Sequence, residues 1–137
     1  MDWTQGRYTL SDDRAGLDLA RTQALLASTY WGVRRPPDVV ARMMEKSMPV
    51  VLLCDREQVG FARAVSDFTV FTWVADLVID EAHRGQGLGQ WMMTYLVQHP
   101  ALRHTQFVLQ TRDAHALYER YGFGRNDALM STRVEGL

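Results

Sequence analysis

The stretch Ala75-Asp-Leu-Val-Ile-Asp-Glu-Ala-His-Arg-Gly-Gln-Gly-Leu-Gly-Gln-Trp-Met-Met93 decides the fold of this 137-residue chain. Its apolar run at 77–79 predicts a strand that is covered on both faces. Apolar residues then recur from Leu88 to Leu96 at the spacing of one helix face. The stretch therefore predicts a buried strand, a turn and an amphipathic helix in that order.

The turn between this strand and helix holds three glycines in the sequence Arg84-Gly85-Gln86-Gly87-Leu88-Gly89. Glycine lets the backbone turn tightly and come close to a ligand. The free N–H groups at the start of a helix, with the positive end of its dipole, suit a phosphate or a pyrophosphate. The turn therefore predicts an anion-binding site, and an ordinary glycine-rich connection is the alternative.

Two common phosphate-binding loops do not fit this turn. A P-loop ends in Gly-Lys-Ser or Gly-Lys-Thr, and neither is present. A dinucleotide-binding turn needs a small residue three positions after Gly87, where this chain has Gln90. What remains is the pattern Arg-x-x-Gly-x-Gly, whose fixed letters are Arg84, Gly87 and Gly89.

Composition limits the classes of protein to which the chain could belong. Hydrophobic residues make up 47% and charged residues 23%, which is ordinary for a folded domain and argues against disorder. The formal net charge of −1 argues against a general nucleic-acid binder. The sole cysteine, Cys54, excludes an internal disulfide, is typical of a reducing compartment and, with four irregularly spaced histidines, predicts no metal site. With no apolar run of about 20 residues and no signal-peptide pattern, we expect a cytoplasmic protein that does not bind membranes.

Periodicity and turn residues predict ten elements in the order β-α-α-β-β-β-α-β-α-β. This order describes an α/β fold with a mixed sheet and helices on its faces, in a single domain spanning residues 1–137. The predicted strands are 7–10, 50–54, 59–65, 68–79, 106–111 and 130–134, and the predicted helices are 18–28, 36–47, 88–98 and 113–121.

A second informative stretch runs from 111 to 123, Thr-Arg-Asp-Ala-His-Ala-Leu-Tyr-Glu-Arg-Tyr-Gly-Phe. Taken by itself, it predicts an amphipathic helix that Asp113 caps and Gly122 stops. Tyr118 and Tyr121 lie on the apolar face of this helix, where both could be core residues.

Together, the two stretches resemble the signatures of the GNAT superfamily of N-acetyltransferases. The Arg-x-x-Gly-x-Gly turn after a strand is similar to the family's acyl-CoA pyrophosphate loop, and Ala-x-x-Leu-Tyr-x-x-x-Gly-Phe at 114–123 is similar to its second signature. The resemblance covers about residues 50 to 123. It implies a central, mostly antiparallel sheet flanked by about four helices, and acetyl-CoA as cosubstrate.

The resemblance also implies direct transfer of an acetyl group from acetyl-CoA to a primary amine, with both substrates bound at once. Tyr118 matches the family tyrosine that lies beside the acyl-CoA sulfur and can protonate the departing thiolate. Backbone amides at 77–79 would bind the pantetheine arm and polarise the acyl carbonyl. The residues expected to bind the cosubstrate are Leu77, Val78, Ile79, Arg84, Gly85, Gln86, Gly87, Leu88, Gly89 and Asp113.

Asp76 is the candidate general base, because it interrupts an otherwise apolar strand directly before the glycine turn. Roughly one lysine-like amine in a few thousand is neutral at pH 7, so a base near the acceptor would help. In the family, a carboxylate on this strand often serves, directly or through water. The alternative is a structural aspartate that pairs with an arginine or a loop amide.

No motif in the sequence identifies the acceptor. The resemblance places the first helices and the strand before the glycine turn beside the acceptor pocket, so Tyr30, Phe71 and Trp73 are candidates for its lining, with aromatic core as the alternative. It allows a small-molecule amine or a protein amine, and it makes a homodimer an expectation. A non-catalytic acyl-CoA-binding module for sensing or protein interaction is the rival function, and the presence of Tyr118 favours the enzyme.

Overall fold

The computed structural model describes residues 1–132, which form six strands and four α-helices. The strands are β1 (Asp2–Gln5), β2 (Tyr8–Ser11), β3 (Met48–Cys54), β4 (Glu57–Ser66), β5 (Phe71–Ile79) and β6 (Gln106–Leu109). The helices are α1 (Leu19–Ala27), α2 (Pro37–Glu45), α3 (Leu88–Gln98) and α4 (His115–Glu119). Two short 3-10 helices, Arg14–Gly16 and Glu81–His83, lie in the connections.

The six strands form one sheet in the order β1-β2-β3-β4-β5-β6. Neighbouring strands from β1 to β5 are antiparallel, whereas β5 and β6 are parallel. A parallel pair needs a crossover connection, and α3 supplies it between these two strands. This mixed, mostly antiparallel sheet with four helices confirms the fold class predicted from the sequence.

The core has two halves, because alternate residues of a strand point to opposite faces of the sheet. The larger half joins the sheet to α3, where Met92, Met93 and Leu96 are fully buried. The smaller half joins Phe61 of β4 to apolar residues of α1 and α2. The helix that follows the glycine turn and the helix pair α1–α2 therefore cover opposite faces.

The pairing of β5 with β6 covers only the first part of β5. It runs from Phe71 to Val74, and within residues 1–132 the segment 75–79 has no strand partner on that side. We call the gap that begins there the β5–β6 opening. An unpaired strand edge presents backbone N–H and C=O groups to any chain or ligand that approaches it.

A bulge interrupts β5 next to Asp76. Phe61 pairs with Val78 and Arg63 pairs with Ala75. Two residues of β5 therefore lie between these pairs, opposite a single residue of β4. Asp76 itself has φ +58°, a left-handed conformation that aspartate adopts more readily than most residues. The bulge allows the buried side chain of Asp76 to meet arginines on the α1–α2 face.

The first strand differs from the prediction. The predicted strand 7–10 is the second arm of a hairpin, and β1 is the first arm, with Gly6 at φ +59° in the turn. β1 shows no strand pattern in the sequence because three of its four residues are exposed at the edge of the sheet. Polar side chains are common at such edges.

The predicted strand 68–79 begins too early. The carboxylate of Asp67 accepts hydrogen bonds from the backbone N–H groups of Thr69, Val70 and Phe71. This local turn competes with extended backbone and delays the start of β5 to Phe71.

After β6, one prediction is wrong and a second can be compared only in part. Asp113 does not cap α4: the N-cap position is Ala114, with no side-chain cap, and the Ala114 N–H donates to Thr111 Oγ1 at 3.0 Å. Residues 130–132 carry no strand, and residues 133 and 134 of that predicted strand lie outside the described residues.

Candidate active site

The glycine turn leaves the start of α3 open. Gly85 and Gly87 both have φ +77°, a left-handed conformation that costs other L-residues about 1–2 kcal/mol. Gly87 is the N-cap of α3 and supplies no side-chain acceptor for the first N–H groups of the helix. A Cβ placed on Gly85 or Gly87 would meet no atom within 4 Å. The turn therefore has the room and the donors that an anion site needs.

The two glycines on either side of Leu88 are expected to respond differently to alanine. Gly87→Ala should lower the free energy of unfolding by about 1 kcal/mol, because alanine is strained at φ +77°. Gly89→Ala is the matched control, since its Cβ would lie 3.8 Å from Leu77 Cδ2, an ordinary contact, and alanine favours helix. Denaturant unfolding measures both, and equal stability of the two variants would contradict the turn geometry.

Side chains brace the glycine turn from both ends. Tyr8 Oη and His83 Nδ1 lie 2.9 Å apart, which ties β2 to the residue before Arg84. Arg84 Nε donates to the carbonyl oxygen of Ile79 at 2.9 Å. Because the Arg84 side chain turns back to the strand, the backbone N–H groups are the better candidates for holding an anion. Tyr8 and His83 carry no local sequence signal for this role, since 75 positions separate them.

Tyr118 is half-buried on α4, and its ring packs edge-on against Phe123 at a centroid distance of 6.1 Å. Its hydroxyl has no hydrogen-bond partner within residues 1–132. Burial raises the pKa of Tyr118, and the nearby Tyr30 and Asp113 raise it further. The hydroxyl therefore stays protonated at neutral pH and can donate a hydrogen bond to an incoming group.

Tyr121, two residues after the end of α4, has a different environment. Its hydroxyl donates to the carbonyl oxygen of Gln90 in α3 at 2.6 Å. This bond holds α4 against α3, so Tyr121 is a structural residue. The structure thus separates two tyrosines that share one face of the predicted helix.

Asp76 is buried, with 2% of its side chain exposed, and both of its carboxylate oxygens bind arginine. Arg35 donates to Oδ1 at 2.8 Å, and Arg63 donates its Nε–H to Oδ2 at 2.5 Å. These contacts favour the structural alternative for Asp76, because each oxygen already accepts from a cation. The assignment of Asp76 as general base stays a prediction.

The candidate acceptor residues lie on the α1–α2 side of the molecule. Phe71, Trp73 and Ala75 are two residues apart along β5, so their side chains lie on the same face of the sheet. Arg63 is the cross-strand neighbour of Ala75 and shares this face. Tyr30 follows α1 and is 48% exposed. The Arg112 guanidinium lies over the Tyr30 ring at 3.7 Å, so the α1–α2 connection reaches the segment between β6 and α4.

A cavity of about 990 Å³ follows β6 and α4, with walls that include Phe107, Tyr118 and residues 122–129. Neither the glycine turn nor the open edge at 75–79 lines it. The candidate site is the β5–β6 opening, between the glycine turn on one face and the Asp76 cluster on the other, and Tyr118 lines the cavity that follows β6.

Within residues 1–132, no three histidine, cysteine, aspartate or glutamate side chains are grouped so that they could hold a metal ion. None of the helices in this part of the chain has the length and apolar character needed to cross a membrane.

The chain matches a protein-family model, several solved structures and curated proteins. A family model of the acetyltransferase (GNAT) domain matches residues 45–125, which include the glycine turn, Asp76 and Tyr118. A solved structure from Xanthomonas campestris pv. campestris, of a protein described as belonging to the GNAT family, superposes with a TM-score of 0.88 at 34% identity, covering 95% of each chain. A predicted acetyltransferase from Clostridium acetobutylicum, solved with acetyl-CoA, superposes with a TM-score of 0.70 at 14% identity, covering 93% of this chain and 95% of that chain, and shares the fold.

One curated relative extends beyond the matched region. A protein of Gibberella zeae, whose name proposes an acetyltransferase, is 29% identical over 115 residues. The match covers 69% of this chain and 65% of the fungal protein, so the chain spans just under two thirds of that relative's length.

Proposed function

Because the chain belongs to the GNAT acetyltransferase family, we propose that it moves an acetyl group from acetyl-CoA to a primary amine while both substrates are bound. The observation that carries the proposal is the half-buried Tyr118 hydroxyl, which has no hydrogen-bond partner within residues 1–132. Its oxygen is not among the buried side-chain atoms of residues 1–132 that lack a partner, so the hydroxyl reaches solvent and is available to an incoming group. A reaction that expels a thiolate can use such a donor, whereas a module that only bound acyl-CoA would not need it.

The glycine turn and the open edge of β5 fit acetyl-CoA. Gly85 and Gly87 leave free space, and the N–H groups at the start of α3 suit its phosphates. Backbone groups at 77–79 would hold the pantetheine arm, with an N–H directed at the acyl oxygen. Acetyl-CoA supplies a thioester, at whose carbonyl carbon the amine nitrogen replaces the sulfur. The relative from Clostridium acetobutylicum that was solved with acetyl-CoA supports this choice of cosubstrate.

Tyr118 is assigned as the hydrogen-bond donor to the departing sulfur. A free tyrosine has a pKa of about 10 and a free thiol one of about 8.5, so full proton transfer from tyrosine to thiolate is uphill. Burial raises the pKa of Tyr118 and makes that transfer less favourable still. A donated hydrogen bond stabilises charge on the sulfur without requiring the proton to move.

Direct transfer requires no nucleophile from the protein, and the position of the sole cysteine supports this route. Cys54 is 5% exposed in β3 and belongs to the core half that packs on α3. A side chain buried in the core is closed to a substrate that arrives from solvent. A route through an acetylated cysteine therefore has no support.

The proposal is tested by measuring thiol release from acetyl-CoA across a panel of primary amines, including a lysine peptide. Mass spectrometry should find an N-acetylated product in the same amount as the released thiol. Initial rates measured against both substrates should give intersecting double-reciprocal lines, as a ternary complex requires.

Two other outcomes would change the proposal. Acetyl-CoA binding without turnover on any amine would support an acyl-CoA-binding module for sensing or protein interaction. Parallel double-reciprocal lines together with an acetylated enzyme would overturn direct transfer and leave the family assignment intact.

A further inference from the structure

Arg63 lies on β4, one strand away from the β5–β6 opening and level with its start. Its cross-strand partner is Ala75, the first residue of β5 beyond the ladder with β6. Its side chain shares a face with Phe61, two residues earlier in β4, and that face is covered by α1 and α2. The side chain is therefore on the opposite side of the sheet from α3, where the phosphates of the cosubstrate are proposed to bind.

The fold uses one edge of the Arg63 guanidinium and leaves the other open. The Nε–H binds Asp76, and no residue in the described part of the chain binds the two terminal nitrogens. Among residues 1–132, Trp31 Nε1 is the one buried side-chain nitrogen or oxygen without a partner, so the terminal nitrogens of Arg63 reach solvent. They do so although only 17% of the side chain is exposed. The open donors thus lie in a recess, and Asp76 fixes their direction.

A guanidinium held in this way suits a carboxylate. Its two terminal nitrogens form a planar fork that matches the two carboxylate oxygens. Coulomb attraction to an anion is stronger in a recess than at an exposed position, because water screens the charges less. The carboxylate of Asp76 does not fill the fork: it accepts from Arg63 Nε–H through Oδ2 and from Arg35 through Oδ1.

The spacing of the sheet limits the size of such a ligand. Paired strands are about 5 Å apart and two residues along a strand span about 7 Å, so the Arg63 backbone is within about 10 Å of the backbone at Leu77. The Leu77 backbone belongs to the segment proposed to hold the acyl group. An amine separated from the bound carboxylate by a few carbon atoms would reach the acyl group held at the Leu77 backbone.

We propose that the acceptor is a small amine that also carries a carboxylate, and that Arg63 binds this carboxylate and so determines acceptor specificity. The inference rests on the proposed function, because it concerns the choice of acceptor in the same reaction. Polyamines should be poor acceptors, because their additional positive charges would be repelled by the Arg63 guanidinium.

Matched pairs of amines test the proposal. Glycine is compared with glycinamide, β-alanine with β-alaninamide, and spermidine is included as a polycation. The carboxylate member of each pair should have a kcat/KM about 10- to 100-fold higher, the effect expected of charge-assisted hydrogen bonds. Removing the carboxylate makes the amine less basic and increases its neutral fraction, so the amine's own reactivity cannot produce this preference.

Arginine variants then assign the preference to its residue. Arg63→Gln should bring the ratio of kcat/KM values in each pair close to 1, and Arg63→Lys should give an intermediate ratio because it keeps the charge and loses the fork. Arg34→Gln is the matched control: it removes an exposed arginine from the α1–α2 connection and should keep the wild-type ratio.

The outcomes separate this inference from the function on which it rests. Equal kcat/KM for carboxylate and carboxamide, or a preference for spermidine, would overturn the inference and leave the acetyltransferase proposal standing. No turnover on any amine would overturn both. If Arg63→Gln shows no cooperative unfolding transition, the wild-type ratios and the Arg63→Lys variant decide the matter.

Discussion

Replacing Tyr118 with phenylalanine should lower kcat by about 10²-fold and leave the dissociation constant of acetyl-CoA close to its wild-type value. The substitution removes the hydroxyl and keeps the ring that packs against Phe123 at 6.1 Å. The loss should appear in kcat because the hydroxyl acts on charge that develops as the sulfur departs. Steady-state kinetics and calorimetric titration of acetyl-CoA measure the two quantities separately.

Tyr121→Phe is the control for this experiment. It removes the hydrogen bond from Tyr121 to the Gln90 carbonyl oxygen, so it should cost about 1 kcal/mol of unfolding free energy. Its kcat should stay near the wild-type value. Equal losses of kcat in Tyr118→Phe and Tyr121→Phe would show that the packing of α4, and not the Tyr118 hydroxyl, limits the rate.

The pH dependence gives a second measure of the Tyr118 role. The hydroxyl donates only while it is protonated, so kcat should fall as rising pH removes that proton. Because burial raises the pKa of Tyr118, this fall should lie above the ordinary tyrosine value of about 10. Tyr118→Phe should lack this alkaline decrease, and a variant that kept it would assign the decrease to another group.

Asp76→Asn should lower the free energy of unfolding by about 3 kcal/mol, and the melting temperature by roughly 10 °C. The substitution leaves Arg35 and Arg63 without the carboxylate that both bind, and each of these side chains is only 17% exposed. Asparagine adopts the left-handed conformation of position 76, φ +58°, so the loss reports on charge and not on backbone strain. Thermal and denaturant unfolding measure it.

Asp38→Asn is the matched control for charge at an exposed site. Asp38 pairs with Arg42 one helical turn later, and the two side chains are 74% and 70% exposed. Water screens such a pair, so its removal should change the free energy of unfolding by less than about 0.5 kcal/mol.

The two roles considered for Asp76 predict different combinations of results. If Asp76 positions Arg35 and Arg63, the asparagine variant should lose stability, and the enzyme that remains folded should keep much of its kcat at every pH. If Asp76 is the general base, wild-type stability should be combined with a large loss of kcat. The second combination would support Asp76 as the general base, a role that its contacts with two arginines disfavour.

The parts of the site predicted correctly from the sequence are the ones encoded locally. The glycines at 85 and 87 adopt the left-handed conformation that a tight strand-to-helix turn requires, and α3 begins directly after them. Gly122, at φ +85°, follows α4 as a helix-terminating glycine. Each of these features depends on residues within a few positions of one another.

The errors arose where tertiary or side-chain contacts outweigh periodicity. β1 is an edge strand whose polar residues need no apolar pattern, and the Asp67 turn shortens β5 through three backbone hydrogen bonds. Thr111, and not Asp113, supplies the side-chain acceptor at the start of α4. In each case the hydrophobic periodicity allowed more than one boundary for the helix or strand, and hydrogen bonds or exposure that periodicity does not report decided between them.

The sequence by itself determined the family, the fold class and the strand–glycine turn–helix unit around which the site is built. The tertiary structure alone decided that, among residues 1–132, the Tyr121 hydroxyl finds a hydrogen-bond partner and the Tyr118 hydroxyl does not, and which groups surround Asp76. Arg35 and Arg63 reach Asp76 from 41 and 13 positions away, through a helix connection and a neighbouring strand. These contacts depend on strand register, on the bulge in β5 and on the path of the α1–α2 connection, which no spacing within a short stretch of sequence can specify.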